Sequence, residues 1–414
     1  MQSERWNPEL RNWLDAASRA AGFDLVGVAG ARAPEDPAAE QDAARFSAWI
    51  DAGRAGEMHY LKRRDERETL LRGNLRVAMP WARSAIVCAL NYDFAAAPLS
   101  IGPSPPGSGW IARYAWPGRP LDDGTSAPTD YHDDLLARLR NIESGLLVRA
   151  ACTTRCYVDT GPLLERTLAA EAGIGWIGKN TCLLNQQLGS WLLLGVVVTS
   201  LPVEQTRPAS NQFADTPQEL PVGHPVFSPS NDHCGTCTRC VDACPTGALL
   251  GSRSPGAPRT MDASRCIAYL TIEKKGTIDP HLRAPMGRHV FGCDICQDVC
   301  PWNSRSLRKQ PDAPLIPRSA RNALDPNQQA LHPRRELINP ALDWLAAMDA
   351  RQFKHLFKGS PLERTGRKRL LRNVAIAMGN SGEARFLPQL EAWAGGEDPV
   401  LAEAAAWART RLLA

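Results

Sequence analysis

This 414-residue chain lacks any apolar run approaching the roughly 18 residues of a transmembrane helix. Its longest, WLLLGVVV at 191–198, has the length of a buried strand. The opening stretch MQSERWNPELRNWLDAASRAAG has neither an apolar h-region nor a twin arginine, so it does not read as an export signal. It reads as an amphipathic helix with Trp6, Leu10, Trp13, Leu14 and Ala17 on one face. A surplus of charge is missing too. The net +4 is too small to argue nucleic-acid binding, so that case must rest on local clustering. With 43% hydrophobic and 22% charged residues the composition is that of an ordinary globular protein, and the length suggests two or three domains. The expected location is the cytoplasm, with no membrane partner.

Cysteine, by contrast, is plentiful. FGCDICQDVCPWN, residues 291–303, carries Cys293, Cys296 and Cys300 before Pro301. The bacterial cluster-binding run is C-x2-C-x2-C-x3-C-P, and Val290 stands where its first cysteine is due. Upstream, CGTCTRCVDACP at 234–245 is complete, with Cys234, Cys237, Cys240 and Cys244. In two-cluster ferredoxins the fourth cysteine of each run ligates the other cluster. Cys234, Cys237 and Cys240 then take Cys300, and Cys244 joins Cys293 and Cys296. One vacancy remains, assigned to Cys266 because it is the only other cysteine after position 182. The expectation is two [4Fe–4S] clusters. Zinc sites also use C-x2-C pairs, but rarely three cysteines at this spacing followed by C-x3-C-P. Disulfides are disfavoured in a reducing compartment. Cys88, Cys152, Cys156 and Cys182 have no metal-like spacing and are expected to be small buried side chains.

Residues 1–225 read as an α/β domain. Its strand-like segments are FDLVGVAG (23–30), SAIVCALNY (84–92), ACTTRCYVDT (151–160) and SWLLLGVVV (190–198). PLLERTLAAEAG reads as a helix opened by Pro162 and stopped by Gly173. Segments 95–109, 117–129 and 202–230 read as loops. A cluster module follows at 226–310. From 318 the chain turns helical, within a third domain at 311–414 whose last two helices suggest a HEAT-type pair. Two clusters alone would make an electron carrier, so the large N-terminal domain must have another task.

Several stretches together resemble the epoxyqueuosine reductases, a cobalamin-dependent family of queuosine biosynthesis. They are GEMHYLKRRDER (56–67), YVDTGPLLER (157–166), GWIGKNTCLL (175–184), GSWLLLGVVVTS (189–200) and the two cysteine runs. The resemblance covers nearly the whole chain in the family's order. Here RYAWPGR is separated from the DYH motif by PLDDGTSAPT, and SRSPGAP looks inserted after the first cysteine run. The resemblance implies an α/β cobalamin-binding domain, a bacterial ferredoxin-like two-cluster module and a C-terminal α-helical HEAT-like domain. It implies an oxidoreductase that removes the epoxide oxygen of epoxyqueuosine as water, at the wobble position of tRNA. Electrons would pass singly through the clusters to base-off cobalamin, whose reduced cobalt engages the epoxide carbon. The implied partners are tRNAs with a guanine-derived modified wobble base (Asp, Asn, His and Tyr acceptors) and an external low-potential electron donor. The protein is expected to act as a monomer.

The opening epoxide needs an acid, and the resemblance puts Asp159 of YVDTGP in that role. Read from the residues alone, Asp159 followed by Thr, Gly and Pro is also a helix N-cap signal. Trp176, Gly178, Lys179 and Asn180 suit a loop wrapped on the corrin, or an ordinary turn. Arg64, with Arg63, could meet corrin amides or phosphate, or be a solvated charge run. Asp130, Tyr131 and His132 match the family's DYH motif and are expected to line the cavity. Cys293 and Asp294 would set one cluster beside the corrin. Between Arg351 and Arg372 stand eight basic residues and one acid, Glu363. That concentration suits phosphate neutralisation, with Arg367, Lys368, Arg369 and Arg372 as tRNA contacts, or it is a solvated basic helix. Reductive dehalogenases, which also combine cobalamin and two clusters, are the rival enzyme class. A non-catalytic cobalamin or electron carrier is the rival of another kind.

Overall fold

The computed structural model describes residues 4–94, 97–122, 126–203, 233–251, 259–303 and 332–414. Its N-terminal region is built on a four-stranded sheet. β1 (Leu25–Gly30), β2 (Ser84–Asn91), β3 (Thr154–Tyr157) and β4 (Leu192–Thr199) lie in the order β1-β2-β4-β3, each neighbouring pair antiparallel. These are the four expected segments, with ends moved by up to three residues. β2 and β4 pair over their whole length, Ser84 with Thr199 through Asn91 with Leu192.

Every residue of β2 is buried because helices cover both faces of the sheet. Alternate residues divide between the two layers. Ile86, Cys88, Leu90 and Val197 pack with Leu10 and Leu14 of the helix Pro8–Ala20 and with Leu135 and Leu139 of the helix Tyr131–Arg149. Val87, Ala89, Val196 and Val198 pack with Leu168 and Ala169 of the helix Glu165–Glu171. The layers come closest at Gly27, where a Cβ would lie 2.2 Å from the Ala172 carbonyl oxygen.

Two local expectations are corrected. The helix expected to open at Pro162 begins at Glu165, leaving 158–164 irregular, although Gly173 does end that unit in the left-handed region. Segment 117–129 is not all loop. Pro117–Pro120 pairs with Ser126–Pro128 on one side and with His332–Pro333 on the other. Its second partner lies some two hundred residues away, so local composition could not announce it.

The C-terminal helices Ala350–Phe357, Gly366–Ser381, Leu387–Ala394 and Pro399–Leu413 do not close a core of their own. One apolar core runs from Trp110 and Trp116 through Leu270 and Phe291 to Val374, Met378 and Ala405. The helical region therefore braces the cysteine-bearing segment. The expected boundaries at 225/226 and 310/311, most of the 202–230 loop, the SRSPGAP insertion and the helical turn-on at 318 lie outside the described residues. Among the described residues no helix is long and apolar enough to cross a membrane.

Candidate active site and cluster sites

Eight cysteines gather into two groups of four. Cys234, Cys237, Cys240 and Cys300 line a cavity of about 160 Å³ together with Lys179, Asn180 and Trp302. Cys244, Cys266, Cys293 and Cys296 face one another in the second group. The crossing of fourth cysteines predicts this same division. Val290, at the vacant position, is fully buried in the apolar core, in a strand paired with Trp110–Ile111. Its place in the cysteine run is spent on packing. Cys266 stands in its stead as the N-cap of the helix Ile267–Ile272, with the backbone N–H groups of Ala268 and Tyr269 turned to its sulfur.

Among the described residues no three His, Cys, Asp or Glu side chains converge as ligands of a single metal ion would. Sulfurs around one zinc ion must all lie about 2.3 Å from it. Those around a cubane stand much further apart, so two loose tetrads of thiols fit clusters better than zinc.

GWIGKN forms part of a hairpin, with Trp176–Ile177 paired to Leu183–Leu184. The side chains of Trp176, Lys179 and Asn180 are buried against the first tetrad. Trp176 packs edge-on to Trp302 at 5.0 Å and to His233 at 4.6 Å. Lys179 Nζ donates to the Gly235 carbonyl at 2.6 Å. Asn180 Nδ2 is buried without a partner among the described residues, on the wall of a cavity that would hold sulfur acceptors. Gly178 packs closely within the hairpin, where a Cβ would lie 2.4 Å from Leu184 Cδ1 and force that side chain to shift. Cys182, expected to be a small buried side chain, sits against Cys296 and 3.7 Å from Gln297 Oε1. No sequence spacing could have flagged it, since the hairpin delivers it.

Asp159 follows β3 in the irregular loop and does not cap the next helix, whose N-cap is Leu164. Its backbone lies in the left-handed region at φ 58°. Its carboxylate is 58% exposed and accepts a 2.5 Å hydrogen bond from the Tyr131 hydroxyl. Its backbone N–H donates to Glu165 Oε1 at 2.8 Å. Burial and the facing Asp159 carboxyl push Glu165 up to about 8, against the opposing charge of Arg72. Burial and Asp159 likewise raise the Tyr131 phenol far above its ordinary range, so it stays a donor. Tyr60, half-exposed, and Arg72 also face Asp159; both escaped the sequence reading.

Asp130 caps the helix Tyr131–Arg149, which fixes Tyr131 and His132 in its first turn. Arg364 reaches this group from the C-terminal region, 3.2 Å from the Asp130 carboxylate and 2.7 Å from His132 Nδ1. Against the effect of burial, His132 and Arg364 hold the Asp130 carboxyl below its usual range. Tyr114 packs on Tyr131 at 5.8 Å and on Phe291 at 5.9 Å. It bridges Tyr131, the hydrogen-bond partner of Asp159, and Phe291, two residues before Cys293. Asp294 itself is buried, its carboxylate accepting from the Arg113 backbone N–H at 2.9 Å and from Trp110 Nε1 at 3.2 Å. Arg113 in turn is buried on Asp298 at 2.8 Å and over the Trp191 ring. Arg64 lies exposed, its guanidinium returned to the Glu68 carbonyl of its own turn.

The basic tail divides. Arg372 is 1% exposed and donates to the carbonyls of Leu270, Lys274 and Gly276, which corrects its reading as a phosphate contact. Arg369 donates to the carbonyls of Arg364, Thr365 and Ile272, and Arg367 to that of Met348. Lys368 remains exposed, 3.5 Å from Asp398. Arg351, Lys354 and Lys358 are exposed along an open groove they share with His355 and Pro128.

Comparison with known proteins gives this geometry a family. Residues 72–160 match the family model described as epoxyqueuosine reductase QueG, DUF1730. Residues 233–303 match the 4Fe-4S double cluster binding domain, which spans both tetrads. The epoxyqueuosine reductase of Xanthomonas campestris pv. campestris is 34% identical over 94% of this chain and 93% of its own. The chain belongs to the epoxyqueuosine reductase family. The Escherichia coli member is 33% identical over 94% of this chain and 85% of its own. A crystal structure of an epoxyqueuosine reductase with an epoxyqueuosine-modified tRNA-Tyr stem loop superposes at a TM-score of 0.71, with 28% identity over 98% of this chain and 90% of that one. The Bacillus subtilis enzyme, solved with its catalytic aspartate loop swung out of the active site, gives the same TM-score at 27% identity. A double 4Fe-4S cluster domain and a helical C-terminal region thus accompany the family's α/β fold in this chain.

Proposed function

We propose that this protein reduces epoxyqueuosine to queuosine at the wobble position of tRNA, with Asp159 as the acid that protonates the opening epoxide oxygen. The observation that carries the reading is an exposed carboxyl, clamped at a strand end by Tyr131, whose ring meets Tyr114 and through it Phe291 of the segment that carries Cys293. The tetrads suit two [4Fe–4S] clusters held as assigned above. The exposed Asp159 and half-exposed Tyr60 suit a corrin face, and His132, engaged by Asp130 and Arg364, suits base-off cobalamin without a histidine ligand. When bound, cobalamin supplies a reduced cobalt nucleophile, and the clusters supply electrons one at a time from an external low-potential donor.

The chain's own residues position and protonate. Tyr131 holds the Asp159 carboxyl toward the open surface, and Asp130 and Arg364 hold the first turn that carries Tyr131. Phosphates of the tRNA fit the groove at Arg351, Lys354 and Lys358 better than the buried Arg372. Arg364, 44% exposed, joins that basic surface to the site. The modified base must leave any stack to reach Asp159. Asp159→Asn keeps shape and hydrogen bonding but carries no carboxylic proton. Conversion of epoxyqueuosine in tRNA, followed by mass spectrometry in single turnover with chemically reduced enzyme, should fall by about 10²–10⁴-fold in this variant. Cluster content and tRNA binding should be unchanged. Conversion at the wild-type rate would remove Asp159 from the chemistry.

A further inference from the structure

Converting an epoxide to an alkene and water takes up two electrons and two protons, and one carboxyl holds one proton. The acid reading of Asp159, on which this inference rests, therefore leaves a second proton to be found. We propose that Glu165 is a proton reservoir that recharges Asp159 within one turnover. Glu165 Oε1 already accepts the Asp159 backbone N–H at 2.8 Å, and the two carboxyl groups lie within hydrogen-bonding reach of each other. Glu165 is the first residue of the helix that follows the Asp159 loop, six positions along the chain, so the acid and its supply are held close by the chain itself.

The protons balance as follows. Asp159 gives its proton to the epoxide oxygen as the C–O bond opens. The resulting carboxylate takes the proton of Glu165. Asp159 then protonates the hydroxyl as the second C–O bond breaks and water leaves, and Glu165 is refilled from solvent. Both electrons arrive through the iron–sulfur relay from the external donor.

The neighbouring groups fit the task less well. Tyr131 touches Asp159, but its phenol is held too firmly protonated to give a proton up near neutrality. His132 Nε2 stands 3.9 Å from Asp159, beyond hydrogen-bonding distance. Tyr60, like Tyr131, is raised above its ordinary range, by burial first. Tyr114 also faces Asp159 and is raised by burial. Arg72 faces Glu165 and keeps its anion tolerable once the proton has moved. Glu165, brought to about 8, both holds a proton at neutral pH and releases one to a partner.

Glu165→Gln retains the acceptor for the Asp159 N–H and removes only the proton. The pair is first titrated without substrate by infrared difference spectroscopy. A protonated-carboxyl band present at pH 7 should disappear as pH rises through about 8 in the wild type and be missing in E165Q. Single-turnover conversion in E165Q should fall roughly 10²-fold, the low end for a positioned proton donor. The wild-type rate should fall above about pH 8, and that fall should be absent in E165Q. E165D keeps an acid one methylene shorter; if glutamine disturbs the loop, the band in E165D and a partly restored rate carry the test. An E165Q enzyme with the wild-type rate and pH profile, or one that keeps the band, overturns the proposal. If D159N is slow while E165Q is unimpaired, Glu165 alone is refuted. If D159N converts normally, the acid reading falls and this inference with it.

Discussion

Asp159 sits in a backbone region that costs a non-glycine residue on the order of 1–3 kcal/mol. The contacts around it offset that strain: the Tyr131 hydroxyl on its carboxylate and Glu165 on its N–H. A hydrogen bond of this kind is worth about 0.5–1.5 kcal/mol, so Tyr131→Phe should loosen the placement of the carboxyl by roughly 2- to 12-fold. Turnover of Y131F should drop by a comparable factor. Iron content and tRNA affinity should stay at wild-type levels. A Y131F enzyme that turns over normally would mean that Glu165 alone keeps the loop in place. The anchor is specific in kind, since phenylalanine preserves the ring packing on Tyr114 and removes one hydroxyl.

The strand His289–Phe291 runs from the apolar core straight into the second cysteine motif. His289 is 6% exposed, with Nδ1 on the Met286 carbonyl at 2.9 Å, and burial pushes its pKa down to about 4. An unfolded histidine titrates near 6.5, so the unfolded chain takes up this proton first. The stabilisation is fully present above about pH 6.5 and is lost as pH falls toward 4, up to about 3 kcal/mol in all. His289→Gln cannot titrate. Thermal melts of the cluster-loaded protein at stepped pH should therefore show a steeper acid decline in wild type than in H289Q between pH 6.5 and 4. Parallel declines would show that the ring is protonated in the folded state without penalty.

Across the whole molecule, the C-terminal helices do two jobs that their charge alone does not separate. Arg372 spends its guanidinium on carbonyls of the segment just before the second cysteine motif, and burial pushes its pKa down to about 10. Arg372→Met leaves those carbonyls without their donor, a loss of about 1–3 kcal/mol for each group left buried and unpaired. R372M should melt earlier yet keep the wild-type dependence of tRNA affinity on salt. Replacing Arg351, Lys354 and Lys358 together by Ala should do the reverse. Stability should change little, and the slope of log K against log salt should flatten by roughly 0.7–0.9 per lost phosphate contact. Titrations at several salt concentrations, set beside melts of both variants, separate the roles. An unchanged slope in the triple variant would place the phosphate contacts elsewhere.

The cysteine spacing announced the two groups of four that the fold brings together, because a cluster-binding run is a short local pattern, and Cys266 joined its group by elimination. The four sheet strands were legible for a similar reason, since β-branched apolar runs such as that of β4 have few other places to go. Which residues of a basic or glycine-rich stretch meet solvent was not legible. Arg372 and Lys368 look alike in sequence, and only the packing of the helix Gly366–Ser381 on the cysteine-bearing segment buries one and leaves the other out. Trp176 and Asn180 went to the first tetrad because the hairpin folds that way, a pairing set by Leu183 and Leu184. The approach of Arg364 to the DYH turn, and of Glu165 to Asp159, are likewise tertiary. A side chain's role there depends on what the fold sets within a few ångströms of it, and burial and facing charge are properties of that neighbourhood rather than of the residue.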